Sequence, residues 1–510
     1  MSPQIQRPQT NVIQEIPMPS LRSLASVLVA MPVTLMGTTA VEAAINVPAG
    51  FTVNTVGVGL TKPTGMTVAP DGRIFVLLQS GLVKVVVNGV VLPQPFIDLQ
   101  DEVGFGVDRG LLGIALAPDF ETSRDIYLLY IVDPEFGRPE EPAVNPAFGR
   151  LVRYTGTEAS GGNVADPDSR VVLLGKGPED GIPCCYSSHS MGDLEFGQDG
   201  ALFISPGDGA NFNVPDAGGD PLCAALFGDE QDIGAFRAQR LDCLAGKILR
   251  VDPATGQGLP DNPFFTGDPD AARSKVWASG FRNPFRMTRR PGTNDLVVAD
   301  VGWTQREELD VCSGGENFGW PCVEGFQAPP IYPGLVPASD GCDTLETPNN
   351  PGPVTDPIVQ WHHSNASQSV PPGITGQCAI IGTFYESTSF PAPYQGAVFI
   401  ADHIQSWIRV LTLTPEGGLD EIVNFATLAE RPVDIAVDPT TGDVLVLSWL
   451  SGKLSRIRYT AFDLDGNGTV DGADLGILLG VWGQSDVPAD LDGNGTVDGG
   501  DLGILLANWG

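Results

Sequence analysis

Two residue patterns in the sequence have the makings of chemistry. The first runs from Tyr186 to Asp208, with His189 near its start and Asp208 at its end. Between them, Leu194-Glu-Phe-Gly-Gln-Asp-Gly-Ala-Leu-Phe-Ile204 reads as two short strands around a Gly-containing turn. A hairpin brings its ends together, so His189 and Asp208 become neighbours. An imidazole oriented by a carboxylate is suited to take a hydroxyl proton near neutral pH. Histidine–acid pairs also serve purely structural ends, so the pair alone does not define an activity.

The second pattern is in the tail. Asp463-Leu-Asp-Gly-Asn-Gly-Thr-Val-Asp-Gly-Ala-Asp474 returns almost unchanged 27 residues later as Asp490-Leu-Asp-Gly-Asn-Gly-Thr-Val-Asp-Gly-Gly-Asp501. Oxygen ligands fall at loop positions one, three, five, nine and twelve: Asp463, Asp465, Asn467, Asp471 and Asp474, then Asp490, Asp492, Asn494, Asp498 and Asp501. Thr469 and Thr496 complete the candidate metal set, and a glycine at position six permits the sharp turn. Hard Ca2+ requires that spacing of carboxylate and amide oxygens. Position twelve is Asp instead of Glu, and one helix, Leu475-Gly-Ile-Leu-Leu or Leu502-Gly-Ile-Leu-Leu, follows each loop. This tail resembles a type I dockerin, a small calcium-folded module. The resemblance implies docking onto a cohesin-type protein partner. Residues 461–510 hold nine Asp and no Lys, Arg or Glu, so the metal-free tail is expected to fold loosely.

Composition narrows the rest. The formal charge of -34 repels phosphate backbones and argues against nucleic acid. An apolar fraction of 42% supports a large core, and the 63 Gly and 44 Pro recur along the whole chain, as many short strands joined by turns require. Residues 1–43 read as an export signal region: Arg22 precedes the apolar run 24–36, which is followed by small residues up to Ala43. Pro32 breaks that run, which is short for a span, and no later segment is long and apolar enough to cross a bilayer. A secreted or cell-surface location follows as an expectation, and the eight cysteines suit an oxidising compartment. Structural disulfides are expected, with Cys312 and Cys322 one candidate pair.

Elements that could position His189 recur along the chain. Strand–turn–strand units lie at 66–76, 114–130, 194–204, 290–298 and 435–446, with a sixth around Gly396-Ala-Val-Phe-Ile400. One hairpin per blade makes an all-β, six-bladed β-propeller over residues 45–460; a sandwich or several small β domains share the pattern. Long loops fall at 132–150, 206–245 and 312–375, where a site would be built.

Several of these segments resemble, in order, those of the glucose/sorbosone dehydrogenase family of soluble quinone-dependent sugar dehydrogenases. They are His189–Asp208, Asp108-Arg-Gly-Leu-Leu-Gly-Ile-Ala-Leu-Ala-Pro-Asp-Phe120, Leu244-Ala-Gly-Lys-Ile-Leu-Arg250, Ser279-Gly-Phe-Arg-Asn-Pro284, Asp300-Val-Gly-Trp303, Glu307-Glu308 and Asn317-Phe-Gly-Trp-Pro321. The resemblance implies a propeller holding pyrroloquinoline quinone and Ca2+ at one end of its channel. It makes His189 the base for the sugar C1 hydroxyl and Asp208 its orienting partner. Arg282, Asn283 and Arg409 would contact the quinone, and the main-chain carbonyls of Gly302 and Trp303 would hold the metal. The family's later-blade cations are represented by Arg409 alone, with Thr383 and Ile404 near the positions of the others. His362 and His363, adjacent on a strand, should face opposite ways. His403 has two readings, channel wall or surface, while Trp303, Trp320 and Trp361 could stack on a sugar or fill the core.

Three functions therefore stay open: an exported oxidoreductase acting on a small sugar with an external electron acceptor, a glycan- or protein-binding propeller of the kind that hedgehog-interacting proteins exemplify, or an architectural element placed by its tail.

Overall fold

The computed structural model describes residues 45–510 except 49, 133–145, 327–331, 333–334, 336–341, 343–353, 466–468, 486 and 493. The expected export segment and Asn467 lie outside the described residues. Six antiparallel sheets of four or five strands are arranged radially. The expected units at 66–76, 114–130, 194–204 and 435–446 span the two inner strands of their blades, whereas 290–298 covers a turn and second strand and 396–400 a second strand alone. The innermost strands are Pro63–Val68, Leu111–Leu116, Met191–Phe196, Pro284–Arg289, Ala379–Phe384 and Pro432–Val437. We number the blades one to six in that order.

The ring closes through the amino-terminal strand. Phe51–Gly57 pairs antiparallel with Lys453–Tyr459, so the sixth sheet is built from both ends of the propeller. Phe51 anchors that closure, its ring edge-on to Phe390, Tyr394 and Phe425 at 4.8–5.4 Å between centroids. Between blades the fit is close enough to demand missing side chains: a Cβ on Gly192 would come within 2.2 Å of the Pro284 carbonyl.

Arg286 crosses the central channel. It is 1% exposed, and its guanidinium donates to the main-chain oxygens of Leu112, Val433 and Thr64, on the innermost strands of blades two, six and one. Asp193 and Asp434 flank it at 3.7 and 3.9 Å. Those two carboxylates, with Glu195, line a cavity of about 310 Å³. Thr64, Leu112, Phe285 and Val433, all touched by Arg286 or adjoining it, line a second cavity of about 460 Å³. Arg286 thus forms a floor between two chambers. Thr383 falls in the Arg286–Asp193 chamber and not with the candidate site.

The cysteines differ from expectation. Disulfides join Cys185 to Cys223 and Cys322 to Cys342, while Cys184, Cys243, Cys312 and Cys378 are free. Cys312 does not pair with Cys322 because it is the last residue of a blade-four strand, its thiol buried in the apolar seam against blade three.

Two expectations follow. Phe51→Ala should lower the unfolding free energy by about 3–5 kcal/mol, measured by denaturant titration, because it leaves a cavity at the closing strand. Burial first, then the nearby Asp193 carboxylate, pushes Glu195 up to about 8. The folded state therefore holds a proton that the unfolded chain has released, and stability drains away as pH rises from about 4.5 through 8. Glu195→Gln should flatten the melting temperature across that window; an unchanged pH slope contradicts it.

Candidate active site

The blade-three hairpin sets the His–Asp pair. Met191 and Pro206 are paired at its open end, and His189 and Asp208 each lie two residues beyond. His189 Nδ1 and Asp208 Oδ1 are 2.8 Å apart. Main-chain bonds from Gly207 to Ser190 and from Gly209 to His189 hold the two extensions together. His189 has φ of 49°, a left-handed conformation that costs a non-glycine residue energy and persists where surroundings enforce it. The Asp108 loop enforces it here: the carboxylate accepts the His189 N–H, and the Asp108 carbonyl accepts the Ser190 hydroxyl.

Asp208 is fully buried. Burial alone would raise its pKa; His189, through charge and hydrogen bond, with Arg282 and the Ala210 N–H, outweighs burial and holds it below the usual carboxylate value. Asp208 is thus an ionised orienting group. Trp320 Nε1 also donates to it, at 2.7 Å.

Arg282 and Asn283 immediately precede the innermost strand of blade four. Their N–H groups donate to the two oxygens of Asp300, at 2.9 and 2.6 Å, and burial pushes that acid up to about 7. The Arg282 guanidinium donates to the carbonyls of Val301 and Gly302 at 2.8 and 2.7 Å, but its Nε is buried without an acceptor. His189, Arg282, Asn283, Gly302 and Trp303 all line the 460 Å³ cavity, as do Gln79, Asp108, Gln377, Cys378 and Trp449.

Arg409 is not among them. It lies on the third strand of blade five, its guanidinium 5.2 Å from the Trp407 ring centroid and directed to the Gly373 carbonyl. Third strands are too far from the axis to reach the channel. Arg431, which the sequence did not single out, is also outside the lining, but its guanidinium stands 5.9 Å from the ring centroid of the cavity-lining Trp449. The signal available was its position just before the innermost strand of blade six, where Asn283 stands in blade four.

His403 lines the cavity, and burial presses it down to about 4, so it is neutral at pH 7. His362 and His363 do diverge: His363 pairs with Glu307 at 2.8 Å, and His362 Nδ1 accepts two loop N–H groups. Trp361 is fully buried with its N–H on Asp402 and is not available to a sugar, whereas Trp303 remains at the cavity.

Residues 60–456 match the family described as Glucose / Sorbosone dehydrogenase. The chain belongs to that family. Among its relatives, the HIPL2 protein of Arabidopsis thaliana is 26% identical over 455 residues, covering 78% of this chain and 58% of the relative, so this chain spans just under three-fifths of that protein's length. The aldose sugar dehydrogenase YliI of Escherichia coli (strain K12) is 26% identical over 419 residues, covering 80% of this chain and 93% of the relative. In fold the chain is similar to the PQQ-bound form of aldose sugar dehydrogenase from Streptomyces coelicolor, with a TM-score of 0.53, 20% identity, and coverage of 81% and 99%.

The cavity's residues fit a family quinone in volume and donor type. Its size falls within the usual range for small-molecule sites. The unsatisfied Arg282 Nε, the Asn283 amide and the nearby Arg431 suit carbonyl and carboxylate oxygens. On the metal side, the Gly302 carbonyl already accepts from Arg282, and only its second lone pair is left for a cation.

In the tail, the carboxylates of Asp463, Asp465 and Asp474 converge within 4.8 Å, and those of Asp490, Asp492 and Asp501 do likewise. Asp471 and Asp498 cap the helices Gly472–Gly480 and Gly499–Ala507. Asp474 accepts the N–H groups of Leu464, Asp465 and Asp471, folding its loop back on the helix start. Thr469 hydroxyl bonds Asp471, and the main chains of Asn494 and Thr496 continue the second loop.

Proposed function

We propose that the protein is an exported sugar dehydrogenase that oxidises the C1 hydroxyl of an aldose or related polyol and passes the electrons to an external acceptor. The observation carrying this reading is the buried His189–Asp208 pair in the same cavity as Arg282 and Asn283. With Nδ1 committed to Asp208, His189 has Nε2 free to accept the hydroxyl proton, and the ionised carboxylate stabilises the imidazolium that results. Arg282, Asn283 and Arg431 would hold pyrroloquinoline quinone. When bound, that group supplies the hydride acceptor. Gly302 and Trp303 carbonyls are the candidate Ca2+ ligands beside it. Asp108 and the Gln79 side-chain oxygen, whose amide nitrogen already donates to Val107 and Arg109, would bind sugar hydroxyls, and Trp303 would offer a ring face.

Residues 461–510 are read as a calcium-folded, dockerin-like tether for a cohesin-type protein. Three converging carboxylates per loop, with no cation in the segment to balance them, support the metal. Leu479 and Trp482, and their repeats Leu506 and Trp509, are 46–51% exposed and leave apolar surface for a protein partner. Among the described residues no helix is long and apolar enough to cross a membrane.

His189→Ala should lower turnover in a dye-linked aldose assay by about 10²–10⁴-fold while leaving the melting temperature near the parent value. Unchanged turnover would remove His189 from the mechanism, and no turnover by the parent chain with any simple aldose would favour a binding propeller. For the tail, a 461–510 peptide should gain helical circular dichroism on adding Ca2+ and lose it with chelator; a spectrum indifferent to Ca2+ sinks the tether.

A further inference from the structure

The two halves of the site come from different blades. His189 and Asp208 extend the hairpin of blade three, whereas Arg282 and Asn283 lead into blade four. The main chain joins them, Asp208 N–H donating to the Arg282 carbonyl at 2.8 Å, and the Trp320 side chain also touches both halves. Trp320, 4% exposed, donates its indole N–H to Asp208 Oδ2 at 2.7 Å, and its ring centroid lies 5.5 Å from the Arg282 guanidinium carbon.

We propose that Trp320 is the positioning residue that ties proton acceptor to cofactor-side cation: its N–H fixes Asp208, and through it His189, while its face holds Arg282. The proposal rests on the dehydrogenase reading only for its kinetic consequences.

Asp208 shows why the N–H matters. Its Oδ1 takes the His189 ring and the Ala210 N–H, whereas Oδ2 has Trp320 as its donor among the described residues. Donors on both oxygens fix the plane of the carboxylate, and that plane fixes the imidazole. Without the indole, Oδ2 would be a buried charged oxygen with nothing to satisfy it, at a residue fully shielded from water. The ring face matters to Arg282 for a different reason. Its guanidinium makes no ion pair among the described residues; two carbonyls and the Trp320 ring hold it.

Trp320 is itself rigidly mounted. Its main-chain N–H donates to the Gly280 carbonyl, and its own carbonyl accepts from Gln239 Nε2 at 2.7 Å. Its ring packs edge-on to Trp303 and Tyr332, and Cys322, two residues on, is in the disulfide to Cys342. None of these contacts belongs to a strand ladder. The blade-four loop carries Trp320 back onto blade three, and the indole spans the seam.

Trp320→Phe in the full-length protein keeps a ring over Arg282 and deletes only the donor. It should cut kcat by about 10- to 100-fold with little change in KM, the scale of one charge-assisted hydrogen bond. Trp320→Leu, which also loses the ring face, should in addition weaken quinone uptake measured by calorimetry. If Trp320 acts through Asp208, Trp320→Phe added to Asp208→Ala should cost nothing further in kcat; a multiplicative loss overturns the proposal. A second arm needs no turnover. In protein free of quinone and metal, the low-field proton signal of His189 Nδ1–H should move or broaden in Trp320→Phe, and an unmoved signal refutes the link whether or not the chain oxidises sugars. Should Trp320→Phe fail to fold, Asp208→Asn replaces it: one of the eight indole N–H resonances should move upfield. If none moves, the bond to Asp208 is not there.

Discussion

Everything at the site depends on where the first and second strands of each blade begin and end. Their register places the start of the innermost strand opposite the end of the next at the same level of the channel. Pro63 pairs with Leu78, Met191 with Pro206, Pro284 with Asp300, Ala379 with Asp402, and Pro432 with Ser448. The cavity is lined from those ends: Gln79, His189, Arg282 and Asn283, Gln377 and Cys378, His403 and Trp449. A single geometric rule, applied in five of the six blades, converges residues from distant parts of the sequence. Arg286 completes the arrangement by closing the channel beneath them, its donors spent on the carbonyls of three other innermost strands.

That placement concentrates buried acid as well as cation. Asp208 is kept ionised by its partners, whereas Asp300, the acid that grips the Arg282–Asn283 backbone, is raised by burial. The same face of blade four carries Glu308 and Asp310, both pushed up by burial, and Asp310 has no hydrogen-bond partner for either oxygen. Charge is thus retained on the carboxylate next to the imidazole and suppressed on the acids behind it. Donors alone do not decide this: Asp300 accepts two main-chain N–H bonds and burial still raises it, whereas Asp208 also has the charge and hydrogen bond of His189.

The sequence carried the blades because each hairpin is local: apolar alternation around a Gly- or Pro-bearing turn is visible within a dozen residues, and all six expected segments fall in inner strands, although 396–400 marks only the second strand of blade five. The His189–Asp208 contact was legible for the same reason, since one hairpin joins them. Arg409 is in the expected neighbourhood but on the third strand of blade five and outside the cavity lining, which only the order of strands shows. Arg431 was not singled out as a site residue, and Trp320 was read as a sugar-stacking or core side chain, not as a donor to Asp208. Each reaches its place through a loop or a seam between blades, and neither constraint leaves a period in the sequence. The cysteines show the same limit: Cys312 and Cys322 are close in sequence, yet one is in a strand seam and the other in a stapled loop.

The central claim is that the cavity between His189 and Arg282 takes up a quinone. Calorimetric titration of the calcium-loaded protein with pyrroloquinoline quinone, run in parallel on Arg282→Leu, tests it most directly. The account predicts saturable uptake by the parent protein, a large loss in the variant, and bleaching of the bound quinone's absorbance when an aldose is added. No uptake by the parent, or uptake indifferent to Arg282, would contradict it.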